Sequence, residues 1–554
     1  MKRGLFSIIL LFLFFVVGAQ EINLDYYLPE DYTYDENIAK PSSILGFEVG
    51  EWHANHTQVV NYYKTVAEQS SRATLINYGS TYEKRPLLML AVSSPKNIQQ
   101  LDKLKEQRGG LRYPDFKSNL QGMPVVMYMG HSVHGNESSG VNASLLSAYH
   151  FTAAKEIEED LDNIILLIDP AINPDGINRF ASWVNSHKSY YPNGDRNNRE
   201  LNETWPRGRT NHYWFDLNRD WLPVQHPESQ GRIAQLQAWL PNIVLDFHEM
   251  GTDNTYFFQP GIPSRNNPLT PAKNFELTEK IAGYHAKYLD KIGSLYYSKE
   301  SFDDYYFGKG STYPDIQGAV GILFEQASSR GHLQENVFGE ISFPFTIRNQ
   351  FTTALSSFDA AIDLRVELNT YMSDFYKEAK EEYTNDDNKA IIFGALEDYG
   401  RTFHFADVLL RHDIQLYSLE EDVTLNGVPF KSGKSFIVPL DQPQYRLINS
   451  LFETRTTFQD SLFYDVSTWN LPMSFNLNYM SLSSKILNLA KVENVSKGLT
   501  FKKGEVKGEA GAYSYAFEWE EYYAPKALYK LMDLGYQVRV SHKEFQTKDK
   551  KSFS

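Results

Sequence analysis

Four short runs of apolar residues constrain the fold of this chain more than any other feature of its sequence. They lie at 124–130, 163–169, 242–247 and 320–324. Strands with one exposed face alternate apolar and polar residues, whereas strands of a parallel sheet are buried on both faces and are apolar throughout. The runs therefore predict an α/β fold with a mixed, mostly parallel central sheet flanked by helices. Helical periodicity at 145–150 and 347–362 predicts two of those helices.

The composition excludes several kinds of chemistry. The 554 residues include no cysteine, so the protein has no thiol nucleophile, no disulfide and no cysteine-ligated metal. Any metal must be bound by His, Asp or Glu. The 69 acidic and 54 basic residues give a net charge of −15. Because phosphate binding needs clustered Lys and Arg, this balance argues against nucleic acid or an anionic membrane as a partner.

The N-terminus is typical of an export signal. Two basic residues precede an apolar run at 5–17, and small residues follow it up to Ala19. The run is shorter than the ~20 residues that a membrane-spanning helix needs. We therefore interpret 1–19 as a cleaved signal peptide, with an uncleaved anchor as the alternative. We expect a mature protein that is periplasmic or extracellular and not stably inserted in a membrane.

Polar residues follow the apolar runs directly. His134 and Glu137 come after the first run, His248 ends the third and Glu325 ends the fourth. Because ligands bind beyond the carboxyl ends of the strands in an open α/β sheet, we expect these side chains to converge. Two imidazoles and a carboxylate suit zinc and leave a fourth position for water, as a catalytic site requires. The HExxH metalloprotease helix does not fit, since residue 252 is threonine.

The residues around these positions resemble the zinc carboxypeptidases of the carboxypeptidase A type. Six motifs within roughly residues 50–360 occur in the family's order: Gly-Ser-Thr-Tyr-Glu-Lys-Arg-Pro at 79–86, His-Gly-Asn-Glu at 134–137, Asn-Pro-Asp-Gly at 173–176, Asp-Leu-Asn-Arg-Asp at 216–220, Asp-Phe-His at 246–248 and Gly-Ile-Leu-Phe-Glu at 321–325. The resemblance implies a carboxypeptidase-like fold. It also implies one zinc ion bound by His134, Glu137 and His248, with Glu325 as general base or acid.

The resemblance implies further substrate residues. Asn218 and Arg219 match the family's clamp for a free C-terminal carboxylate, which a planar guanidinium binds through two parallel hydrogen bonds. Tyr305 and Tyr306 compete for the role of the tyrosine that closes over substrate, and Tyr306 is our choice.

The arginine that polarises the scissile carbonyl is harder to assign. Residues 180–212 resemble a polar insertion that carries several arginines, and we choose Arg179, which lies nearest the Asn-Pro-Asp-Gly motif. The insertion is either a lid over the substrate cleft or an ordinary surface loop.

The pattern changes after residue 375. An acidic stretch at 376–389 predicts a linker between a catalytic domain at 20–375 and an accessory α/β domain at 390–554. The accessory domain begins with a strand, helix, strand and hairpin at 390–438. A weaker second copy predicts a strand at 513–519, a helix at 524–534 and a strand at 536–540. The last residues echo 434–436, so we expect the domain to be incomplete at Ser554.

This second domain resembles, in outline, the glutamine-amidotransferase-like domains that accompany some bacterial members of the family. Without cysteine it lacks the thiol of their reaction. We interpret His404, His412 and Asp413 as surface or packing residues, and we expect a substrate-docking or scaffold role for the domain.

These observations predict an exported zinc metallocarboxypeptidase that hydrolyses C-terminal residues of peptides or proteins. One alternative is a zinc-dependent carboxypeptidase of cell-wall peptides or a deacylase of N-acyl amino acids, because related folds use the same metal ligands. An alternative of another class is a non-catalytic peptide-binding module with a vestigial metal site.

Overall fold

The computed structural model describes residues 22–117, 119–460, 465–484, 492–494, 499–501, 503–508, 510–547 and 551–553. The predicted signal peptide at 1–19 lies outside the described residues. Within these ranges, no helix combines the length and the apolarity needed to cross a bilayer.

An eight-stranded sheet forms the centre of the N-terminal part. Its strands are β1 (Ala73–Ser80), β2 (Pro86–Val92), β3 (Val125–His131), β4 (Ile164–Asp169), β5 (Ile243–Met250), β6 (Tyr256–Phe258), β7 (Tyr296–Tyr297) and β8 (Val320–Ala327). They follow the spatial order β1-β2-β4-β3-β5-β8-β6-β7. The central strands β4, β3, β5 and β8 are parallel, as is the β6–β7 pair, and the remaining pairs are antiparallel. The prediction of a mixed, mostly parallel sheet built on the four apolar runs is confirmed.

Helices cover both faces of this sheet. They are α1 (Pro41–Leu45), α2 (His56–Gln69), α3 (Pro95–Ile98), α4 (Leu101–Gly109), α5 (Ser139–Ala153), α6 (Pro174–Ser186), α7 (Pro227–Trp239), α8 (Ala272–Lys291), α9 (Phe343–Asp363) and α10 (Arg365–Asn385). The two helices predicted from periodicity lie within α5 and α9. Every residue of α5 is buried.

Successive residues of the central strands belong to different cores, because side chains alternate across a sheet. Val125 and Met127 of β3 pack in one buried cluster with residues of α2, α5, α8 and α9. Val126 and Tyr128 pack in a second cluster with residues of α7. This burial on both faces explains why the strands are apolar throughout.

The C-terminal part contributes residues to the second buried cluster, which contains Val126 and Tyr128. Its helices are α11 (Tyr399–Arg411), α12 (Tyr445–Phe452), α13 (Leu471–Ser474) and α14 (Ala524–Asp533). A five-stranded antiparallel sheet has the order β16 (Asn478–Ser483), β11 (Asn388–Gly394), β15 (Ser435–Pro439), β12 (Tyr417–Leu419) and β17 (Val492–Asn494). Phe393 of β11 and Phe405 of α11 belong to the same buried cluster as Val126. Most of the predicted linker, up to Asn385, is the end of α10.

The described residues also form three small two-stranded antiparallel sheets. They are β9 (Leu333–Asn336) with β10 (Gly339–Ser342), β13 (Val423–Leu425) with β14 (Val428–Phe430), and β18 (Phe545–Gln546) with β19 (Ser552–Phe553).

The predicted second copy is only partly present. Helix α14 matches the predicted helix at 524–534, but 513–519 and 536–540 form no strand. Most side chains in these two segments are exposed, including Tyr513, Tyr536 and Val540. The strand prediction was wrong because an apolar run becomes a strand only where a partner strand and a core are available to it.

Candidate metal centre

The predicted site residues meet at the carboxyl ends of three central strands. His134 and Glu137 lie in the turn between β3 and α5, His248 lies near the end of β5 and Glu325 near the end of β8. Strands β5 and β8 pair in parallel with His248 opposite Glu325. Since paired strands lie ~4.8 Å apart and opposite residues share a face, the sheet itself sets these two side chains side by side.

His134, Glu137 and His248 bring three potential ligand atoms within 4.8 Å of one another. The Nδ1 atom of His134 lies 2.9 Å from Oε1 of Glu137, and Nδ1 of His248 lies 2.9 Å from Oε2. The two Nδ1 atoms are 3.2 Å apart. All three side chains are buried. This is the convergence that the strand pattern predicted.

Carboxylates hold the far side of both imidazole rings. Nε2 of His134 lies 2.9 Å from Asp216, and Nε2 of His248 lies 2.8 Å from Asp246. A carboxylate accepts a hydrogen bond from a protonated nitrogen, so these contacts favour the tautomer that carries its proton on Nε2. The lone pair of each Nδ1 then faces the space between the three potential ligands. The backbone N–H of Glu249 donates to Glu137 over 3.0 Å and fixes that carboxylate.

The charges of the cluster shift its pKa values. Burial alone would lower the pKa of His134 and His248, but the carboxylates around them outweigh it and the net shift is upward. Burial would raise the pKa of Glu137, but the two imidazoles hold it well below its ordinary value. The site thus stabilises an ionised carboxylate between two imidazoles.

These donors fit zinc. Two imidazole nitrogens and a carboxylate, each oriented by a second group, are the ligand types of catalytic zinc sites. The site is buried and lies at the edge of the sheet where the strands end.

Glu325 lies beside this cluster and is partly exposed. Burial raises the pKa of Glu325 to about 7; the charge of Glu137 reinforces the shift, and that of His248 opposes it. A carboxyl group with a pKa near the working pH can both accept and return a proton.

Close backbone packing explains two of the sequence motifs. A Cβ atom on Gly135 would lie 2.2 Å from backbone atoms of Gly176 and Ile177, so the ligand turn can approach the start of α6 this closely only with glycine at residue 135. Asp175 of α6 accepts hydrogen bonds from Thr81 and Arg85 at 2.8 and 2.7 Å. The motifs at 79–86, 134–137 and 173–176 are therefore parts of one packed unit.

Arg209 enters the site, and sequence analysis did not choose it. Its guanidinium lies 3.3 Å from Glu137 and 2.9 Å from Asp216. Arg179 donates instead to the backbone carbonyls of Arg207, Thr210 and Asn211. Arg179 therefore holds the loop that carries Arg209. No local pattern distinguishes Arg209 from the other arginines of the insertion at 180–212.

Asn218 and Arg219 lie in a short 3-10 turn, Leu217–Arg219, and point to different partners. The Asn218 amide is buried, with Nδ2 at 3.2 Å from Asp246 and 3.0 Å from Nε2 of His248, and its carbonyl accepts from the N–H of Gly310. Through its hydrogen bond to Asp246, Asn218 supports the carboxylate that orients His248, a predicted metal ligand. Arg219 is partly exposed and forms an ion pair with Asp465, which belongs to the C-terminal part.

Tyr305 and Tyr306 are both buried. The hydroxyl of Tyr306 donates to the carbonyl of Arg219 over 3.4 Å. Burial, chiefly, raises the pKa of Tyr306 to about 12. Both rings pack against Trp469, at centroid distances of 6.0 and 5.2 Å. Of the two tyrosines, Tyr306 contacts the predicted carboxylate clamp, and its role in closing over substrate stays a prediction.

Comparison with known proteins relates one part of the chain to a known family. Residues 59–307 match the sequence model of the zinc carboxypeptidase family. This part of the chain is a zinc carboxypeptidase domain. The matched span includes the three predicted ligands and ends before Glu325. No curated protein matches the chain significantly.

Solved structures of metallocarboxypeptidases are similar to part of the chain at low identity. A metallo-carboxypeptidase from Burkholderia cenocepacia is 15% identical, with 55% of this chain and 67% of that chain covered and a TM-score of 0.37. Carboxypeptidase A from Helicoverpa armigera is 15% identical, with coverage of 60% and 79% and a TM-score of 0.36. Bovine thrombin-activatable fibrinolysis inhibitor is 15% identical, with coverage of 57% and 99% and a TM-score of 0.38.

Proposed function

We propose that the protein is an exported zinc metallocarboxypeptidase that removes C-terminal residues from peptides. The observation that carries the proposal is the convergence of His134, Glu137 and His248 beside Glu325. Export is proposed from the basic and apolar pattern of residues 1–19.

His134, Glu137 and His248 would hold the metal through two Nδ1 atoms and a carboxylate. Zinc bound there would supply Lewis acidity, which polarises carbonyl groups and makes water more acidic. Asp216 and Asp246 keep the imidazoles in the required tautomer and orientation.

Glu325 acts as the proton carrier in this proposal. Its carboxylate takes a proton from the attacking water and passes it to the nitrogen of the departing residue. Burial raises the pKa of Glu325 above that of an ordinary glutamate, which favours a carboxyl group that accepts a proton and returns it. Its place opposite His248 keeps it next to the reacting groups.

Two arginines contact different parts of the substrate in this proposal. Arg209 lies against Glu137 and stabilises the negative charge that develops on the scissile carbonyl oxygen. Arg219, which is partly exposed, binds the C-terminal carboxylate of the peptide. Arg179 and Asn173 position Arg209, because they donate hydrogen bonds to backbone carbonyls of the loop that carries it.

The test is the substitution Glu325→Gln in the zinc-loaded protein. Hydrolysis of an acetylated tripeptide with a free C-terminus is followed by mass spectrometry, and bound zinc is measured by atomic emission. We expect Glu325→Gln to keep its zinc and to lose activity by about 10²- to 10⁴-fold. Glu340→Gln, which changes an exposed glutamate on β10, is the matched control and should keep both.

Three results would contradict the proposal or part of it. A wild-type protein that binds zinc but hydrolyses no peptide would refute the function. Full activity in Glu325→Gln would refute the assigned role of Glu325. Cleavage of the same peptide as its C-terminal amide at an equal rate would exclude recognition of a free carboxylate.

A further inference from the structure

Residues 465–470 of the C-terminal part contact the substrate side of the site. Asp465 forms an ion pair with Nη2 of Arg219, and its carboxylate also lies 3.2 Å from Nζ of Lys309. Four residues further on, Trp469 packs against Tyr306 at a centroid distance of 5.2 Å. The segment therefore contacts Arg219, to which the proposed function assigns the C-terminal carboxylate of a peptide, and Tyr306, which is predicted to close over substrate.

The ion pair places a carboxylate where the proposed substrate also has one. Nη1 of Arg219 donates to the carbonyl of Asn218 over 2.9 Å, and Nη2 faces Asp465. Each terminal nitrogen of the guanidinium therefore already has a protein partner. A peptide carboxylate bound to the same two nitrogens would lie beside the carboxylate of Asp465, and like charges at one guanidinium repel each other. The two carboxylates therefore compete for Arg219.

The surroundings allow this exchange. The side chains of Arg219 and Asp465 are 36% and 39% exposed, so solvent and small ligands reach the pair. Lys309 is also paired with Asp303 at 3.3 Å and keeps that partner when Asp465 leaves. Exposed ion pairs contribute little free energy, so a substrate carboxylate can replace Asp465 at small cost.

We infer that Asp465 is an internal carboxylate that occupies Arg219 in competition with the C-terminal carboxylate of the substrate. The inference rests on the proposed function of Arg219. It makes a residue outside the matched zinc carboxypeptidase domain part of the substrate site. It also implies that the side chain of Asp465 turns away from Arg219 when substrate binds.

The experiment compares Asp465→Asn with Asp460→Asn in the full-length, zinc-loaded protein. Asp460 also joins the two parts of the chain by an ion pair, with Arg265 at 2.9 Å, and this pair is more buried than that of Asp465. Asp460→Asn therefore removes a contact between the same two parts without touching Arg219. Thermal unfolding of both variants monitors any loss of stability.

The readouts are the kinetic constants for an acetylated tripeptide and inhibition by N-acetyl-phenylalanine and its amide. We expect Asp465→Asn to lower KM and the inhibition constant of the acid by about two- to fivefold, the range that corresponds to an exposed ion pair. The turnover number and inhibition by the amide should not change. Asp460→Asn should leave all four values within error of the wild type.

Each other outcome is decisive. An active wild-type protein whose KM is unchanged or raised in Asp465→Asn overturns the inference and leaves the proposed function intact. Equal changes in Asp465→Asn and Asp460→Asn show a structural contact and overturn the inference as well. A wild-type protein that is inactive on every peptide with a free C-terminus refutes the proposed function and this inference together.

Discussion

The two parts of the chain use buried histidine in opposite ways. His248 lies near the carboxyl end of the central strand β5. Burial would lower its pKa, but the carboxylates around it raise the pKa well above its ordinary value. His412, just after α11, accepts from the Tyr313 hydroxyl and donates to the Leu222 carbonyl, both at 2.8 Å. These partners are neutral, and burial lowers the pKa of His412 to about 4. Burial alone thus does not mark a functional histidine, whereas burial among oriented carboxylates does.

The largest expected effect separates these two histidines directly. His248→Ala removes a proposed metal ligand, so we expect zinc to be lost and peptide hydrolysis to fall by at least about a thousandfold. His412→Ala should keep zinc and activity and lose about 1–3 kcal/mol of stability, because it leaves two buried hydrogen-bonding groups without their partner. Zinc analysis, activity and urea unfolding measure these results. Retention of zinc by His248→Ala would show that His248 is not a metal ligand and that the two histidines do not differ in this way.

A second prediction contrasts the two copies of the strand pattern in the C-terminal part. Phe393 on β11 is fully buried and contacts the rings of Phe405 and Phe436, so Phe393→Ala should cost about 3–5 kcal/mol of unfolding free energy. Val540 is exposed, and Val540→Ala should stay within about 0.5 kcal/mol of the wild type. Urea unfolding followed by tryptophan fluorescence measures both. Equal losses would show that residue 540 is packed in solution.

The third prediction concerns the carboxylate that braces His248. Asp246→Asn keeps the shape of the side chain and removes its charge, so we expect zinc affinity to fall about 10- to 100-fold. Competition with a chromophoric chelator measures the affinity. Asp253→Asn makes the same chemical change in an exposed ion pair with Arg196 and should leave zinc affinity unchanged. An unaltered affinity in Asp246→Asn would mean that this carboxylate does not support the metal centre.

The smallest expected effect is the pH dependence contributed by His412. The unfolded chain binds a proton at this residue below its ordinary pKa of ~6.5, whereas the folded protein does so only near its lowered pKa of about 4. The contribution of His412 to stability is therefore present above pH 6.5 and is lost as the pH falls towards 4.

The variant His412→Gln tests this sign. Between pH 7 and pH 5 its stability should fall by about 1–2 kcal/mol less than that of the wild type. Urea unfolding at the two pH values gives the difference, and His542→Gln, at an exposed position, is the control. Parallel behaviour of wild type and His412→Gln would show that His412 is not buried as a neutral ring.

The sequence predicted those features that depend on local pattern and on sheet geometry. Strands β3, β4, β5 and β8 were predictable because they are buried on both faces and are therefore apolar throughout. The proximity of His134, Glu137 and His248 was predictable, because the carboxyl ends of neighbouring parallel strands lie on the same side of a sheet. Asp246 was also within reach, since it lies two residues before His248 on β5 and so points to the same face.

Features that depend on long-range loop contacts were not predictable. Arg209 is placed by backbone carbonyls that Asn173 and Arg179 hold, and a local pattern does not encode such contacts. Asp465 lies 246 residues from Arg219 and has no sequence signal of its own. The strands expected at 513–519 and 536–540 failed for a related reason, because pairing depends on a neighbour that the pattern does not specify.

The residue-by-residue pairing of β5 with β8 has a consequence for how this site tolerates change. Eight consecutive pairs, from Ile243 with Val320 to Met250 with Ala327, fix His248 opposite Glu325. A single inserted or deleted residue inside either strand would turn one of these side chains to the opposite face. The backbone hydrogen bonds that hold the sheet together therefore also set the distance between the imidazole and the proton-carrying carboxyl group. An error in the pairing of β5 with β8 would therefore also separate His248 from Glu325 and disrupt the proposed chemistry.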